Sequence, residues 1–264
     1  MILLTAVPSC IAAALPLAAV ALELDAPTIS PQEVRQVVGH YYRIPKSGST
    51  TTATLLKEMN CEIWSHSPQR VHNHGVMIHQ HGDGCKDLDW CNGTKLAGVQ
   101  RTDSVFAVMR PVCSRFVSTY WHMQRYSLFS KGLTMGQHLA RLQEWTRGCP
   151  KGEPGVHCQV REINRRYTES HRVILWPQAF YMHPTRTAPI CYHPEWLAQR
   201  FMTHVGAMAP CDVSYNGTQG LMLNAHPNKP KATPVEEITE EICKAAEAFY
   251  DEDHRLWCRH CDTC

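Results

Sequence analysis

The segment that most constrains this chain runs from Val37 to Met59. Val37 to Ile44 is rich in apolar and aromatic residues and predicts a buried strand. Pro45-Lys46-Ser47-Gly48-Ser49 then predicts a tight turn, and Thr50 to Met59 a helix. A strand that turns sharply into a helix leaves the first N–H groups of that helix unpaired, with the positive end of its dipole behind them. Such a turn holds a phosphate, and Lys46 adds a full positive charge to it. Gly48 allows the loop to approach a ligand closely. The spacing is not that of the ATP-type loop GxxxxGK, in which Lys follows the second Gly; here Lys precedes Gly.

A second unit of the same kind follows. Ser104-Val105-Phe106-Ala107-Val108-Met109 is a buried-strand pattern. It leads into Arg110-Pro111-Val112-Cys113-Ser114-Arg115-Phe116-Val117-Ser118-Thr119-Tyr120, which reads as a helix extending to about Arg125. Phe116, Tyr120 and Trp121 lie at helical spacing and read as core rather than as a platform for a planar ligand. Between the two units, Cys61 to Gly98 is rich in His, Gly, Asp and Cys and reads as loop-dominated.

Further along, Thr134 and Gln137 form a capping box for a helix from about Met135 to Arg147. Cys149 to Val156 reads as a loop, Arg172 to Trp176 as a third strand, and Pro194 to Met202 as a helix. Thr233, Pro234 and Glu236 supply N-cap, N1 and N3 residues. Val235, Ile238, Ile242, Ala245, Ala246 and Phe249 then mark one face of a long amphipathic helix. Strands alternating with helices predict an α/β domain, a parallel sheet flanked by helices on both faces. Ligands of such sheets sit beyond the carboxyl ends of the strands, where both Lys46 and Arg110 are expected.

At 264 residues the chain suffices for one such domain. Its boundaries read as a signal peptide or signal anchor over 1–22, a short stem over 23–36, the domain over 37–257 and a Cys-rich tail over 258–264. Met1 to Leu22 carries no charged side chain, and Ala19-Val20-Ala21 offers a small-x-small cleavage pattern. An uncleaved anchor is the alternative, because the run is nearly long enough to span a bilayer. Without Cys10, twelve cysteines remain, which in an oxidising compartment read as disulfides. Proximity suggests Cys85 with Cys91, Cys149 with Cys158 and Cys191 with Cys211, although sequence does not fix the connectivity. Asn92-Gly93-Thr94 and Asn216-Gly217-Thr218 are glycosylation sequons, so signal, cysteines and sequons agree on the secretory pathway. A net charge of only +2 gives no support to a nucleic-acid partner.

Pro-Lys-Ser-Gly-Ser-Thr resembles the 5′-phosphosulfate loop of carbohydrate sulfotransferases, whose motif runs Pro-Lys-(Thr/Ser)-Gly-(Ser/Thr)-(Ser/Thr). The segment from Arg110 to Tyr120 is similar to the same family's 3′-phosphate segment. Arg110, Arg115, Phe116, Ser118 and Tyr120 fall on family positions without gaps, while Pro111 stands where the family usually has an acid. Trp176-Pro177-Gln178, Leu223-Asn224 with Lys229 and Lys231, and the ending Phe249 to Trp257 resemble later family segments, so the likeness covers roughly residues 38 to 257.

The resemblance implies a P-loop-like sulfotransferase domain in the lumen, Golgi above all. It implies 3′-phosphoadenosine 5′-phosphosulfate (PAPS) as cosubstrate and a hydroxyl of a glycan or glycosaminoglycan as acceptor. Lys46 would hold the 5′-phosphosulfate and assist the leaving group. Ser47, Gly48, Ser49, Thr50 and Thr51 would donate to it, and Arg110 and Ser118 would hold the 3′-phosphate. The general base falls to the loop His72-Asn73-His74-Gly75-Val76-Met77-Ile78-His79-Gln80-His81: His74 is the nearest match to a His-Gly-His of the 2-O-sulfotransferase branch, and His81, His72 and His79 stay open.

Two metal-like patterns occur, the His-x-His pairs and the group His254, Cys258, His260, Cys261 and Cys264. The second is too tightly spaced for one ion and suits disulfides, and no metal is expected at either. A different class of function is a secreted glycan-binding protein that keeps this fold without catalysis. A lumenal nucleotide kinase is a third, and it lacks the Lys-after-Gly loop it would need.

Overall fold

The computed structural model describes residues 37–58, 62–65, 75–79, 104–127, 129–193, 197–206, 238–261 and 264. The expected signal segment and stem, both sequons, Cys85 and Cys91, the segment Leu223 to Lys231, and Thr233 to Glu236 lie outside them.

Five strands form one parallel sheet: β1 Val37–Tyr42, β2 Glu62–Ser65, β3 Gly75–His79, β4 Ser104–Met109 and β5 Thr187–Cys191. Their order is β2-β3-β1-β4-β5, and every neighbouring pair is parallel. From β1 the chain goes first to the outer strand β2 on one side, returns inward to β3, and then crosses to β4 and β5 on the other. The carboxyl end of β1 is therefore a topological switch point, where open α/β sheets leave a crevice.

Seven helices accompany the sheet among the described residues: α1 Ser49–Glu58, α2 Val112–Tyr126, α3 Met135–Trp145, α4 Glu153–Arg166, α5 Leu197–Gly206, α6 Glu240–Phe249 and α7 Asp251–His260. Alternation along the central strands divides them between two faces. Tyr42, Val105, Ala107 and Met109 join the main core with Phe116 and Tyr120 of α2, Leu139 and Leu142 of α3, and Trp257 of α7. On the other face Tyr41 stacks on Phe106 at 5.4 Å, and both meet Phe201 of α5 edge-on. Phe116 and Tyr120 are core residues as expected, at 1 % and 3 % exposure.

Several expected elements differ. Arg172 to Trp176 is no strand but the end of a 3-10 turn over Ser170–Leu175. Its apolar run is buried because side chains satisfy its carbonyls in place of a ladder: Tyr181 Oη donates to Val173 O, Arg115 to Ile174 O and Trp176 O, and Tyr250 Oη to Leu175 O. The strand is instead Thr187–Cys191, whose Pro189 suits its place at the sheet edge. The segment from Cys61 to Gly98, read as loop, holds β2 and β3. Cys149 to Val156, also read as loop, already contains the start of α4, with Pro154 in its first turn and Val156, Val160 and Ile163 on the buried face. The Thr134–Gln137 capping box is present and opens α3 as expected.

The C-terminal amphipathic helix is two helices rather than one. α6 begins at Glu240 behind the N-cap Thr239, so Ile238 lies outside it, 52 % exposed. Tyr250 breaks the helix at φ −98° and ψ 51°, its hydroxyl held by Leu175 O. Asp251, Glu252 and Asp253 then favour a fresh N-terminus for α7.

Four disulfides join described residues: Cys113–Cys243, Cys149–Cys158, Cys191–Cys261 and Cys258–Cys264. Cys149–Cys158 matches the expected pairing. Cys191 does not pair with Cys211, because β5 ends against the C-terminus of α7, where Cys261 is nearer than sequence separation suggests. Cys258 belongs to α7, so the expected tail begins inside a helix. These bonds mark an oxidising, secretory or extracellular environment. Among the described residues no helix is long and apolar enough to cross a membrane.

Candidate functional site

β1 delivers residues 45–48 beyond its carboxyl end, and α1 starts immediately at Ser49. Ser47 N–H closes the turn onto Ile44 O at 3.4 Å, and Thr52 N–H returns to Gly48 O at 3.0 Å. The amides at the start of α1 thus face the crevice without helical partners. Lys46 has φ +64° and is the one non-glycine among the described residues with a positive φ. A side chain held in that region is strained by about 1–2 kcal/mol, and such strain gathers at ligand sites. Gly48, at φ +81°, has room for no side chain: a Cβ there would stand 2.7 Å from Cδ2 and Cε2 of Tyr192.

β4, the neighbour of β1, ends at Met109, and Arg110 stands just beyond it. The Arg110 guanidinium is fixed from three sides. Nε donates to Ser114 Oγ at 2.6 Å, Nη1 donates to Lys46 O at 3.3 Å, and the Tyr192 ring lies 5.2 Å from Cζ. Two of its five N–H donors are engaged, which leaves three for a ligand. Pro111 is the N-cap of α2 and accepts from Arg115 N–H through its carbonyl, so the residue that replaces the usual acid still permits the strand-to-helix turn. Ser118 is half-buried in α2, two turns beyond Arg110 and one beyond Ser114.

Burial pushes the Lys46 ammonium below the ordinary lysine range, and the positive charges of Arg110 and Arg115 push it further. Burial likewise lowers Arg110, with the nearby Tyr192 acting in the opposite sense and Arg115 in the same one. Among the described residues neither cation forms an ion pair with a carboxylate. Two half-buried cations whose charges oppose each other, beside the open amides of a helix, form a site that an anion stabilises.

Beneath the crevice lies a charge-compensated network. Arg115, 2 % exposed, donates from Nε to Pro45 O at 3.1 Å and from Nη2 to Ile174 O and Trp176 O at 3.2 and 2.8 Å. Its Nη1 lies 3.9 Å from Asp253 Oδ2. Asp253, in the first turn of α7, also accepts from the N–H groups of Gln178 and Ala179 at 2.7 and 2.8 Å. Burial pushes its carboxyl up to about 6, with Arg115 and these two bonds pulling the other way.

Gln178 joins the two halves of the site. Its Oε1 accepts from Ser47 Oγ at 2.7 Å and from Arg110 N–H at 3.0 Å, and its Nε2 donates to Arg110 O at 2.9 Å. The Ser47 hydroxyl is therefore turned into the protein, at 0 % exposure, rather than toward the crevice.

Lys46, Ser47, Gly48, Ser49, Thr50, Thr51 and Arg110 come together at one edge of the sheet. Of the four histidines, His79 ends β3 opposite Tyr42 of β1, so its backbone reaches the same edge. His72, His74 and His81 lie outside the described residues. Tyr192 and the supports Gln178, Asp253 and Arg115 also belong to the site, beyond the residues that the sequence assigns to it. In the sequence Arg115, Trp176-Pro177-Gln178 and the Asp of the closing helix are only points of resemblance, and Tyr192 carries no signal. At the C-terminal cluster Cys258 and Cys261 are in disulfides and His254 Nε2 lies 3.6 Å from Cys258 Sγ. No group of three or more His, Cys, Asp or Glu among the described residues is placed to hold a metal.

No family model matches the sequence, no curated protein matches it, and no solved structure matches the fold.

Proposed function

We propose that this chain is a lumenal, Golgi-type carbohydrate sulfotransferase with a P-loop-like domain, transferring the sulfuryl group of PAPS to a hydroxyl of a glycan or glycosaminoglycan. The observation that carries this reading is the pairing of Lys46 and Arg110 on adjacent strand ends, with no carboxylate on either among the described residues. A ligand with two separated anionic groups satisfies both cations at once.

The chain's own groups fit the requirements of sulfuryl transfer. The sulfur–oxygen bond to the 5′-phosphate breaks as the acceptor oxygen bonds to sulfur, and the acceptor proton leaves to a base. Lys46 neutralises charge that develops on the departing phosphate oxygen, aided by the amides at the start of α1. Arg110, with three donors free, holds the 3′-phosphate by charge-assisted bonds, and Ser118 on α2, the helix that follows it, extends that side. A histidine of the segment between His72 and His81, His74 or His81 first, takes the proton.

Calorimetric titration of the disulfide-bonded chain with 3′,5′-adenosine bisphosphate tests the reading, with 5′-AMP and ATP as controls. Micromolar binding of the bisphosphate, with AMP far weaker, is expected. A folded sample that binds none of the three would retire the sulfotransferase reading in favour of a glycan-binding role.

A further inference from the structure

Lys46 and Arg110 follow different strands, and nothing in a parallel sheet fixes the spacing of two loops beyond its edge. That spacing decides whether one ligand can engage both. The Gln178 amide fixes it directly. On one side it pairs with both backbone polar groups of Arg110, as a neighbouring strand would; on the other it takes the hydroxyl of Ser47, next to Lys46. Gln178 is fully buried and all its amide contacts go to these two segments. It is itself held, since Asp253 caps the start of the short turn Gln178–Tyr181 by accepting from its first two amides. Asp253 is oriented by Arg115, whose Nε holds Pro45 O, the residue before Lys46. The loop is thus gripped at Pro45 and at Ser47, on both sides of Lys46, by one connected set of side chains.

We infer that Gln178, anchored by Asp253 of α7, is a positioning residue that sets the distance between the Lys46 loop and Arg110, and so selects ligands carrying two anionic groups at a fixed separation. The inference rests on the two-anion reading above and adds what enforces it. It also makes the C-terminal helix part of the site's construction, although α7 contributes no group to the crevice itself.

The test is a ratio, because a residue that only stabilises the fold weakens all ligands alike. Binding of 3′,5′-adenosine bisphosphate and of 5′-AMP is measured on the intact oxidised chain for wild type, Gln178→Ala, Gln178→Met and Ser47→Ala. Gln178→Met keeps the length of the side chain without its polar atoms. Ser47→Ala cuts only the link to the loop and keeps the fold if the larger changes do not. In the Gln178 variants the bisphosphate is expected to lose about tenfold or more in affinity, and AMP less than about threefold, since one phosphate needs only one of the two segments. Ser47→Ala is expected to shift the ratio the same way by a smaller factor. An unchanged ratio in folded variants, or equal loss for both ligands, would overturn the inference and leave the proposed function standing. A wild type that does not prefer the bisphosphate would overturn both.

Discussion

Arg110 and Arg115 are five residues apart, and the protein uses them in opposite ways. Arg115 lies beneath the crevice with every bond it makes directed at protein: three backbone carbonyls and the Asp253 carboxylate. Arg110 lies at the crevice, fixed in place but left with open donors, beside a lysine that repels it. A buried charge that is compensated holds a fold together. A charge that is rigid, half-buried and uncompensated raises the free energy of the empty protein and lowers it when an anion arrives. The two regions share a hydrogen-bonded frame, so the second is held in its costly state by the first.

The sharpest way to break this contrast is to remove the acid of the compensated region. Asp253→Ala leaves Arg115 and two amides without their partner and is expected to cost about 3–5 kcal/mol of stability, read by denaturant titration. A loss below about 1 kcal/mol would mean that the network is ornamental. The uncompensated region should respond in the reverse sense. Lys46→Ala is expected to lower sulfuryl transfer by about 10²–10³-fold with stability unchanged or improved; full turnover would end the catalytic assignment. Arg110→Ala should weaken the bisphosphate by about 1.5–3 kcal/mol in calorimetry while the folded chain melts much as before. Smallest is the stability effect of Lys46→Gly, which relieves the positive φ and should stabilise the chain by about 1 kcal/mol. A destabilised Lys46→Gly would show that the lysine side chain supports the fold after all.

Acid titration separates the regions further. The buried Asp253 carboxyl lies at about 6, above the roughly 3.9 of an unfolded aspartate, so the folded chain holds the extra proton between those values. Its contribution is fully present below about pH 4 and is lost as pH rises toward 6. His138, pushed down to about 3 by burial and then by Arg141, works against it. Folded His138 stays neutral where the unfolded ring charges, so stability falls as pH drops below about 6.5. Stability curves of His138→Gln between pH 4 and 7 should lose the acid limb and uncover the opposite slope due to Asp253. An unaltered acid limb would refute the part assigned to His138.

The loop from Pro45 to Ser49 and the strand before Arg110 were legible because their signals are local. Each is an apolar run, a turn and a helix start within about twenty residues. The capping box at Thr134 and the bridge Cys149–Cys158 were legible for the same reason. What stayed hidden was set by distant partners. Arg172 to Trp176 has the pattern of a strand, and only Arg115, Tyr181 and Tyr250 decide that its carbonyls need no ladder. The break at Tyr250 depends on Leu175, and the pairing of Cys191 on where α7 ends. Gln178 and Asp253 are ordinary polar residues in the sequence, and their place in the site appears only when chain positions far apart are folded together.

That distance has a consequence for how the protein is made. The Lys46 loop leaves the ribosome before Arg110, and Asp253, which anchors Gln178, follows Lys46 by more than two hundred residues. Cys243 and Cys261, which bridge back to α2 and to β5, flank it. A growing chain that has entered the lumen as far as β5 therefore holds Lys46, Arg110 and Gln178 but not the Asp253 carboxylate that anchors Gln178. The spacing of the two cations therefore becomes fixed only when α7 and its disulfides are in place, so the fold of α7 and the geometry of the crevice are completed together.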